Sequence, residues 1–190
     1  MRPLVPESDV QLVARIATGD RAALGALVER HEAMVHRYAR SLTRDAEAAE
    51  DAMQQAFLDV LRGARTFRGA STVRAWLLTV TRHAVFRHAR RRAGEPEHHV
   101  PFDELASLAG WGADPEELAG RASDRALVRR ALDTLAPAFR EVVTLRDLEG
   151  FSGEETARIL GITLAATKSR LHRARLELSA ALRKERPHGA

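Results

Sequence analysis

The 190-residue sequence predicts an all-α protein in which two small helical domains are joined by a flexible acidic linker. Apolar residues recur at the spacing of amphipathic helices along most of the chain, and no segment shows the strict alternation of a strand. Glycine and proline interrupt this pattern in one central stretch, where acids are also concentrated. We therefore predict domains at 1–93 and 114–186, with the linker at 94–113.

Charge is distributed unevenly, although the formal net charge is only +4. From Ser71 to Arg92 there are six arginines and no acid, whereas from Gly94 to Gly120 there are seven acids and no lysine or arginine. After Thr163 there are seven bases against two acids. Two basic blocks on either side of an acidic one indicate two modules that face nucleic acid.

Composition argues against several functional classes. The chain has no cysteine, which excludes a disulfide framework, a thiol nucleophile and a cysteine-based zinc site. The sequence shows no glycine-rich phosphate loop, no nucleophile paired with a base and no convergent carboxylates, so we expect no enzyme, no cofactor and no metal. No apolar run is long enough to span a membrane, and no secretory segment opens the chain. We expect a cytoplasmic protein without direct membrane insertion.

The first two predicted helices supply core residues. A short helix over Ser8–Thr18 has apolar residues at Val10, Leu12, Val13 and Ile16. Asp20 is placed to cap a long second helix, in which His31 falls on the apolar side. We interpret His31 as a packed core histidine, because its spacing offers no partners for a metal site.

The third predicted helix, Asp45–Arg62, has a polar side that contains one leucine. Its buried stripe is Ala49, Met53, Ala56, Phe57 and Val60. Its opposite side carries Asp51, Gln54, Gln55 and Leu58. A leucine with a polar rim is typical of a docking surface, although a solvated face with one stray leucine has the same composition.

The fourth predicted helix, Thr72–Arg92, combines bases with an aromatic residue. Its predicted core side is Val73, Trp76, Leu77, Val80 and Ala84. Its other side carries Thr79, Arg82, His83, Phe86 and Arg90. Single-stranded nucleic acid binds such surfaces through backbone charge and base stacking. The alternative is that Phe86 packs on a neighbouring helix and has no stacking role.

The C-terminal half ends in a predicted helix-turn-helix. Asp114-Pro115 marks a helix start, and a further helix over Ala138–Leu148 is closed by Gly150. Ser152 and Glu155 have the spacing of a capping box, Gly161 ends that helix, and Thr163 caps the next. The second helix has a stripe of Leu164, Thr167, Leu171, Ala174 and Leu178, with Ala166, Ser169, Arg170 and Arg173 opposite. Small residues and arginines suit a major groove, whereas a solvated basic face is the simpler alternative.

Taken in order, short motifs along nearly the whole chain resemble the extracytoplasmic-function sigma factors, which retain only regions 2 and 4 of the sigma-70 family. The motifs are Glu50-Asp51, Gln54-Gln55, Phe57, Phe67-Arg68-Gly69, Arg74-Ala75-Trp76-Leu77, Arg90-Arg91-Arg92, Leu145-Arg146, Glu149-Gly150, Ile159-Leu160-Gly161-Ile162 and Lys168-Ser169-Arg170-Leu171-His172-Arg173-Ala174-Arg175.

This resemblance implies a function in promoter-specific transcription initiation and a set of partners. Core RNA polymerase is expected to bind through its β′ clamp helices and its β flap, with Asp51, Gln54, Gln55 and Leu58 as docking residues. The −10 element is assigned to Phe67, Arg68, Thr79, Arg82, His83, Phe86 and Arg90. The −35 element is assigned to Ala166, Lys168, Ser169, Arg170 and Arg173. Because the sequence shows no sensory motif, we also expect an anti-sigma factor as partner.

The sequence departs from the family pattern at His83, at Arg87 and at the start of the recognition helix, Thr163–Thr167. These departures leave the promoter sequence open. A free-standing helix-turn-helix regulator is the alternative function. Such a regulator binds promoter duplex tightly on its own, whereas a sigma factor is expected to bind it weakly until core polymerase is present.

Overall fold

The computed structural model describes residues 7–43, 45–93 and 122–185. These ranges contain eight α-helices and no strand, which confirms the all-α prediction. The helices are α1 (Asp9–Ala17), α2 (Arg21–Thr43), α3 (Ala46–Gly63), α4 (Val73–Arg92), α5 (Ala122–Thr134), α6 (Pro137–Val143), α7 (Gly153–Leu160) and α8 (Leu164–Glu185). The predicted linker at 94–113 and the predicted helix start at Asp114-Pro115 lie outside the described residues.

Helices α1 to α4 form the first domain. The Ser8 hydroxyl caps α1 in a box with Gln11, so this helix starts where the sequence predicts. Leu12, Val13 and Ile16 are buried, but Val10 is 59% exposed. Val10 does not belong to the buried stripe, because it lies more than 100° around the helix from the centre of that stripe. Among the described residues, no helix combines the length and apolarity needed to cross a bilayer.

Two polar residues anchor α2 and α3. His31 is buried in the core of the first domain, and its Nε2 lies 2.8 Å from Oδ2 of Asp9, which confirms its prediction as a packed histidine. Asp45 caps α3 by accepting a hydrogen bond from the Ala48 backbone N–H. The cap and the adjacent Arg92 lower the pKa of Asp45, so the carboxylate remains charged near neutral pH.

Helix α4 is buried on more sides than the sequence predicts. Leu78, Thr81, Arg82 and Val85 are buried in addition to the expected core side. The helix packs against α1, α2 and α3 of the first domain and also contacts α7 of the second domain. The prediction of one core side and one solvent side was therefore wrong for this helix, because a second domain covers part of the polar side.

Helices α5 to α8 form the second domain, and the predicted helix-turn-helix is α7 and α8. Ser152 and Glu155 make the expected capping box at the start of α7. Gly161 adopts a left-handed conformation with φ of 70° and ends that helix. The Thr163 hydroxyl accepts a hydrogen bond from the Ala166 N–H at the start of α8. Between α6 and α7 the chain makes a π-helical turn over Thr144–Leu148.

We expect Gly161→Ala to lower the free energy of unfolding by roughly 1–2 kcal/mol, because an L-residue is strained at positive φ. No heavy atom crowds an added Cβ at this position, so the effect isolates the backbone conformation. Gly25→Ala is the matched control, since Gly25 lies inside α2 with equally open space. It should raise stability by about 0.4–1 kcal/mol. Urea unfolding, followed by circular dichroism, measures the free energy of unfolding of both variants. Equal changes in the two variants would contradict the left-handed conformation assigned to Gly161.

Candidate functional site

The solvent side of α3 presents the four predicted docking residues. Asp51 and Gln54 are exposed, and Leu58 is 47% exposed. Gln55 is half-buried, and its amide donates a hydrogen bond of 2.9 Å to Oδ1 of Asp59. The four side chains therefore share one accessible surface with an apolar centre.

A cavity of about 260 Å³ lies beside this surface and extends it onto α4. Its walls are the four docking residues on one side and Ala84, Arg87, His88 and Arg91 on the other. Arg87 is held by Asp59, with 2.5 Å between Nη2 and Oδ2. The pattern of α3 alone does not indicate the wall that α4 contributes, so the sequence-based prediction missed it. Its signal was the helical spacing of positions 84, 87, 88 and 91.

The loop before α4 carries two of the residues assigned to the −10 element. The Phe67 ring packs on Trp76 with 5.1 Å between ring centroids, which fixes the direction of the loop. Arg68, the next residue, is exposed. The loop also reaches the second domain, because the carbonyl of Ala70 accepts a hydrogen bond of 2.7 Å from Arg158.

The −10 residues on α4 are divided between solvent and the interior. His83 is exposed, and Thr79, Phe86 and Arg90 are half-buried. Arg82, expected on the open side, is instead 6% exposed, and its Nε lies 2.8 Å from Oε1 of Glu141 on α6. Its guanidinium also lies over the Phe86 ring, 5.0 Å from the centroid. The expectation of an outward-facing Arg82 was wrong for this arrangement, because α6 supplies a buried carboxylate opposite it.

Helix α8 buries the predicted stripe against the second domain. Thr167, Leu171 and Ala174 are buried, and Leu164 and Leu178 are half-buried. Ala166, Ser169 and Arg173 are exposed, as the sequence predicts for the outer side. The 100° spacing predicts Lys168 and Arg175 nearer to the buried edge of the helix than the outer residues, but both are exposed. Arg175 is paired with Asp147 of the π-helical turn.

Arg170 is the exception among the predicted −35 residues. It is half-buried, and its Nη1 atom is inaccessible to solvent. Arg170 follows Thr167 by three residues, and a rotation of 100° per residue places it about 60° from Thr167 around the helix. This position is at the edge of the buried stripe. The placement of Arg170 on the outer side was therefore wrong. Ala165 and His172, which sequence reasoning missed, share the exposed side with Ser169 at positions i, i+4 and i+7. We call Ala165, Ala166, Ser169, His172 and Arg173 the reading face.

Electrostatics hold the entry of the helix-turn-helix in place. The Ser152 backbone N–H lowers the pKa of Glu155, and the Thr72 hydroxyl, 3.0 Å away, acts in the same direction. Because this folded-state pKa is below the unfolded value, its contribution to stability is present above the ordinary glutamate pKa. That contribution is lost as pH falls through the folded-state value. Near neutral pH the cap is fully charged and α7 is anchored.

Two family models match the chain, one in each domain. Residues 27–95 match Sigma-70 region 2. Residues 125–178 match Sigma-70, region 4. The first match covers the docking surface and the residues assigned to the −10 element, and the second covers the reading face. The alternative of a free-standing regulator is not favoured, because such a regulator would not require a region 2 domain.

Curated relatives agree with these matches over most of the chain. The chain is 36% identical over 172 residues to ECF RNA polymerase sigma factor SigM of Mycobacterium tuberculosis, covering 90% of this chain and 83% of that protein. It is 30% identical over 179 residues to ECF RNA polymerase sigma-E factor of Escherichia coli K12, covering 88% of this chain and 91% of that protein.

Solved structures show the same two-domain fold. CnrH, solved in complex with the cytosolic domain of CnrY, gives a TM-score of 0.66 at 28% identity, over 95% of this chain and all of that one. The sigma factor RpoE of Bartonella quintana, solved with the anti-sigma factor NepR, gives 0.62 at 25% identity, over 84% of this chain and 96% of that one. The chain therefore belongs to the extracytoplasmic-function sigma factors of the sigma-70 family and functions as an RNA polymerase sigma factor.

Proposed function

We propose that three surfaces divide the work of this sigma factor. The α3 surface and its adjoining cavity bind the β′ clamp helices of core RNA polymerase. The loop before α4, together with Thr79, Arg82, His83, Phe86 and Arg90, binds the −10 element as it opens. The reading face of α8 binds the −35 element as duplex, and the second domain contacts the β flap. The domains at 1–93 and 114–186 and the linker at 94–113 give the extent of each module.

The observation that carries the proposal is the composition of the reading face. Ala165, Ala166 and Ser169 are small and exposed, so they allow close approach of the helix to the floor of a major groove. Arg173 follows one turn later and is exposed, so its guanidinium is available to a guanine. Lys168 lies at the flank of this surface, where a phosphate contact fits its geometry better than a base contact.

We expect Arg173→Ala to weaken binding of holoenzyme to the cognate promoter by about 1–3 kcal/mol and to relax base preference at one −35 position. Arg170→Ala should have a smaller effect on base preference, because the Arg170 side chain is half-buried. Arg183→Ala is the matched control, since this exposed arginine lies in the last turn of α8. Binding to a panel of single-base −35 variants measures all three. An unchanged preference profile for Arg173→Ala would contradict the reading-face assignment.

Control of the protein is proposed to come from an anti-sigma factor. Two structural relatives support this, since RpoE of Bartonella quintana was solved with the anti-sigma factor NepR and CnrH was solved with CnrY. We place the protein in the cytoplasm, where core polymerase and promoter DNA are found, and assign it no catalytic chemistry of its own. The test is to delete each neighbouring gene and to measure the activity of this protein in cells. If no deletion changes that activity, the result counts against the anti-sigma proposal.

A further inference from the structure

The two domains contact each other directly, and polar groups bridge them at several points. Helices α2 and α4 of the first domain meet α6, the π-helical turn and α7 of the second. Around the edge, Arg37 pairs with the Glu149 carboxylate at 2.9 Å, and Arg74 donates to the Glu149 carbonyl at 3.0 Å. The Thr72 hydroxyl donates to Glu155 at 3.0 Å. These bridging groups are charged or hydroxyl groups that water can also satisfy, and they lie beside buried apolar residues of both domains, which form one continuous cluster.

The centre of this interface is a buried carboxylate that neither domain satisfies alone. Glu141 of α6 is 1% exposed, and both of its bonded partners belong to the first domain. The Tyr38 hydroxyl donates to Oε1 of Glu141 at 2.8 Å, and the Arg82 Nε donates to the same oxygen at 2.8 Å. Burial and the Glu141 charge raise the pKa of Tyr38 well above its ordinary value, so the hydroxyl keeps its proton and donates. We call Tyr38, Arg82 and Glu141 the latch.

Arg140, the neighbour of Glu141, fixes α6 for this contact. Its guanidinium donates to the carbonyls of Leu132 and Leu135 at 3.0 and 2.8 Å, which locks α6 onto the end of α5. It also reaches the Ser41 carbonyl of the first domain at 3.3 Å. The position of the carboxylate is therefore set by rigid elements on both sides.

We propose that the latch is an autoinhibitory contact that closes the two domains on each other and withholds Arg82 from −10 DNA until they separate. Closure follows from the contacts alone, whereas its consequence for DNA rests on the proposed role of Arg82. Removing either charged member, Arg82 or Glu141, leaves the other charge buried and unpaired, which strongly disfavours the closed state. Separation of the intact domains instead returns both charges to water, so the contact is reversible in the manner of a transient interface.

The closed state is tested on the full chain by the distance between the domains. Because the chain has no cysteine, cysteines placed at the exposed positions Glu32 and Ser179 can be spin-labelled selectively. The otherwise unchanged chain should give one narrow distance distribution, and Glu141→Gln should give a broader one shifted to longer distances. Tyr38→Phe, which removes one donor, should shift in the same direction. Asp147→Asn, which removes an ion pair inside the second domain, should leave the distribution unchanged.

The inhibitory role is tested by binding of the isolated chain to a single-stranded −10 oligonucleotide. If the closed state is at least nine-tenths populated, complete opening in Glu141→Gln should raise the apparent affinity by about tenfold or more. Far-UV circular dichroism checks that the variant is folded, and Tyr38→Phe decides the question if it is not. The closed state is overturned if both folded variants keep the original distances. A longer distance without a gain in affinity overturns the inhibitory role.

Discussion

The double variant Gln55→Lys, Leu58→Lys is expected to abolish assembly with core RNA polymerase and leave the fold intact. Leu58 is 47% exposed and forms the apolar centre of the α3 surface, so its replacement costs no core packing. A lysine ammonium at that apolar centre would have to lose its hydration in the complex, which costs free energy. Loss of one interface anchor typically costs about 2 kcal/mol or more, so affinity should fall at least ~30-fold.

Competition with a labelled sigma factor for core enzyme measures this loss. Val10→Lys is the matched control, because Val10 is a second exposed apolar residue, 59% accessible on α1. It should compete normally, and both variants should keep the melting temperature of the parent chain. If the double variant still competes normally for core enzyme, the docking surface lies elsewhere.

Phe86→Ala is expected to spare the closed promoter complex and to impair strand opening. Stacking of a base on an aromatic side chain contributes roughly 1–3 kcal/mol, which only the opened strand gains. Phe86 is half-buried with the Arg82 guanidinium over its ring, so part of the ring is available for such a contact once the domains separate. Permanganate reactivity of unpaired thymines should fall, whereas the footprint of the closed complex should persist.

A promoter that already contains a mismatched bubble around −10 is the control for this prediction. It removes the cost of opening the duplex, and the variant should therefore recover most of its activity on it. Equal defects on duplex and bubble templates would indicate that Phe86 serves packing, which is the alternative that the sequence leaves open.

Helix caps and helix ends were predictable from the sequence because they are determined by residues only a few positions apart. Ser152 and Glu155 predict their capping box from spacing alone, and Gly161 predicts a left-handed helix end. The buried stripe of α8 likewise follows from 100° periodicity, since its members lie on one side wherever the helix packs.

The error at Arg82 arose because the surroundings of this residue are set by a distant part of the chain. Periodicity places Arg82 opposite the core stripe of α4, but it does not reveal that Glu141 lies 59 positions away and 2.8 Å from the Arg82 Nε in space. From sequence alone, a glutamate on a short helix is expected to be exposed to solvent, yet Glu141 is 1% exposed. The error at Arg170 is different, because careful angular placement would have shown it at the stripe edge.

Transcription in a purified system tests the central assignment most directly. Core RNA polymerase, the chain and a promoter template selected by the resulting holoenzyme are combined, and run-off transcripts are measured. We expect transcripts only when core enzyme and chain are both present, with losses when either the −10 or the −35 element is substituted. Tight binding of the chain alone to the duplex, with no promoter-dependent transcript on addition of core enzyme, would contradict a sigma factor.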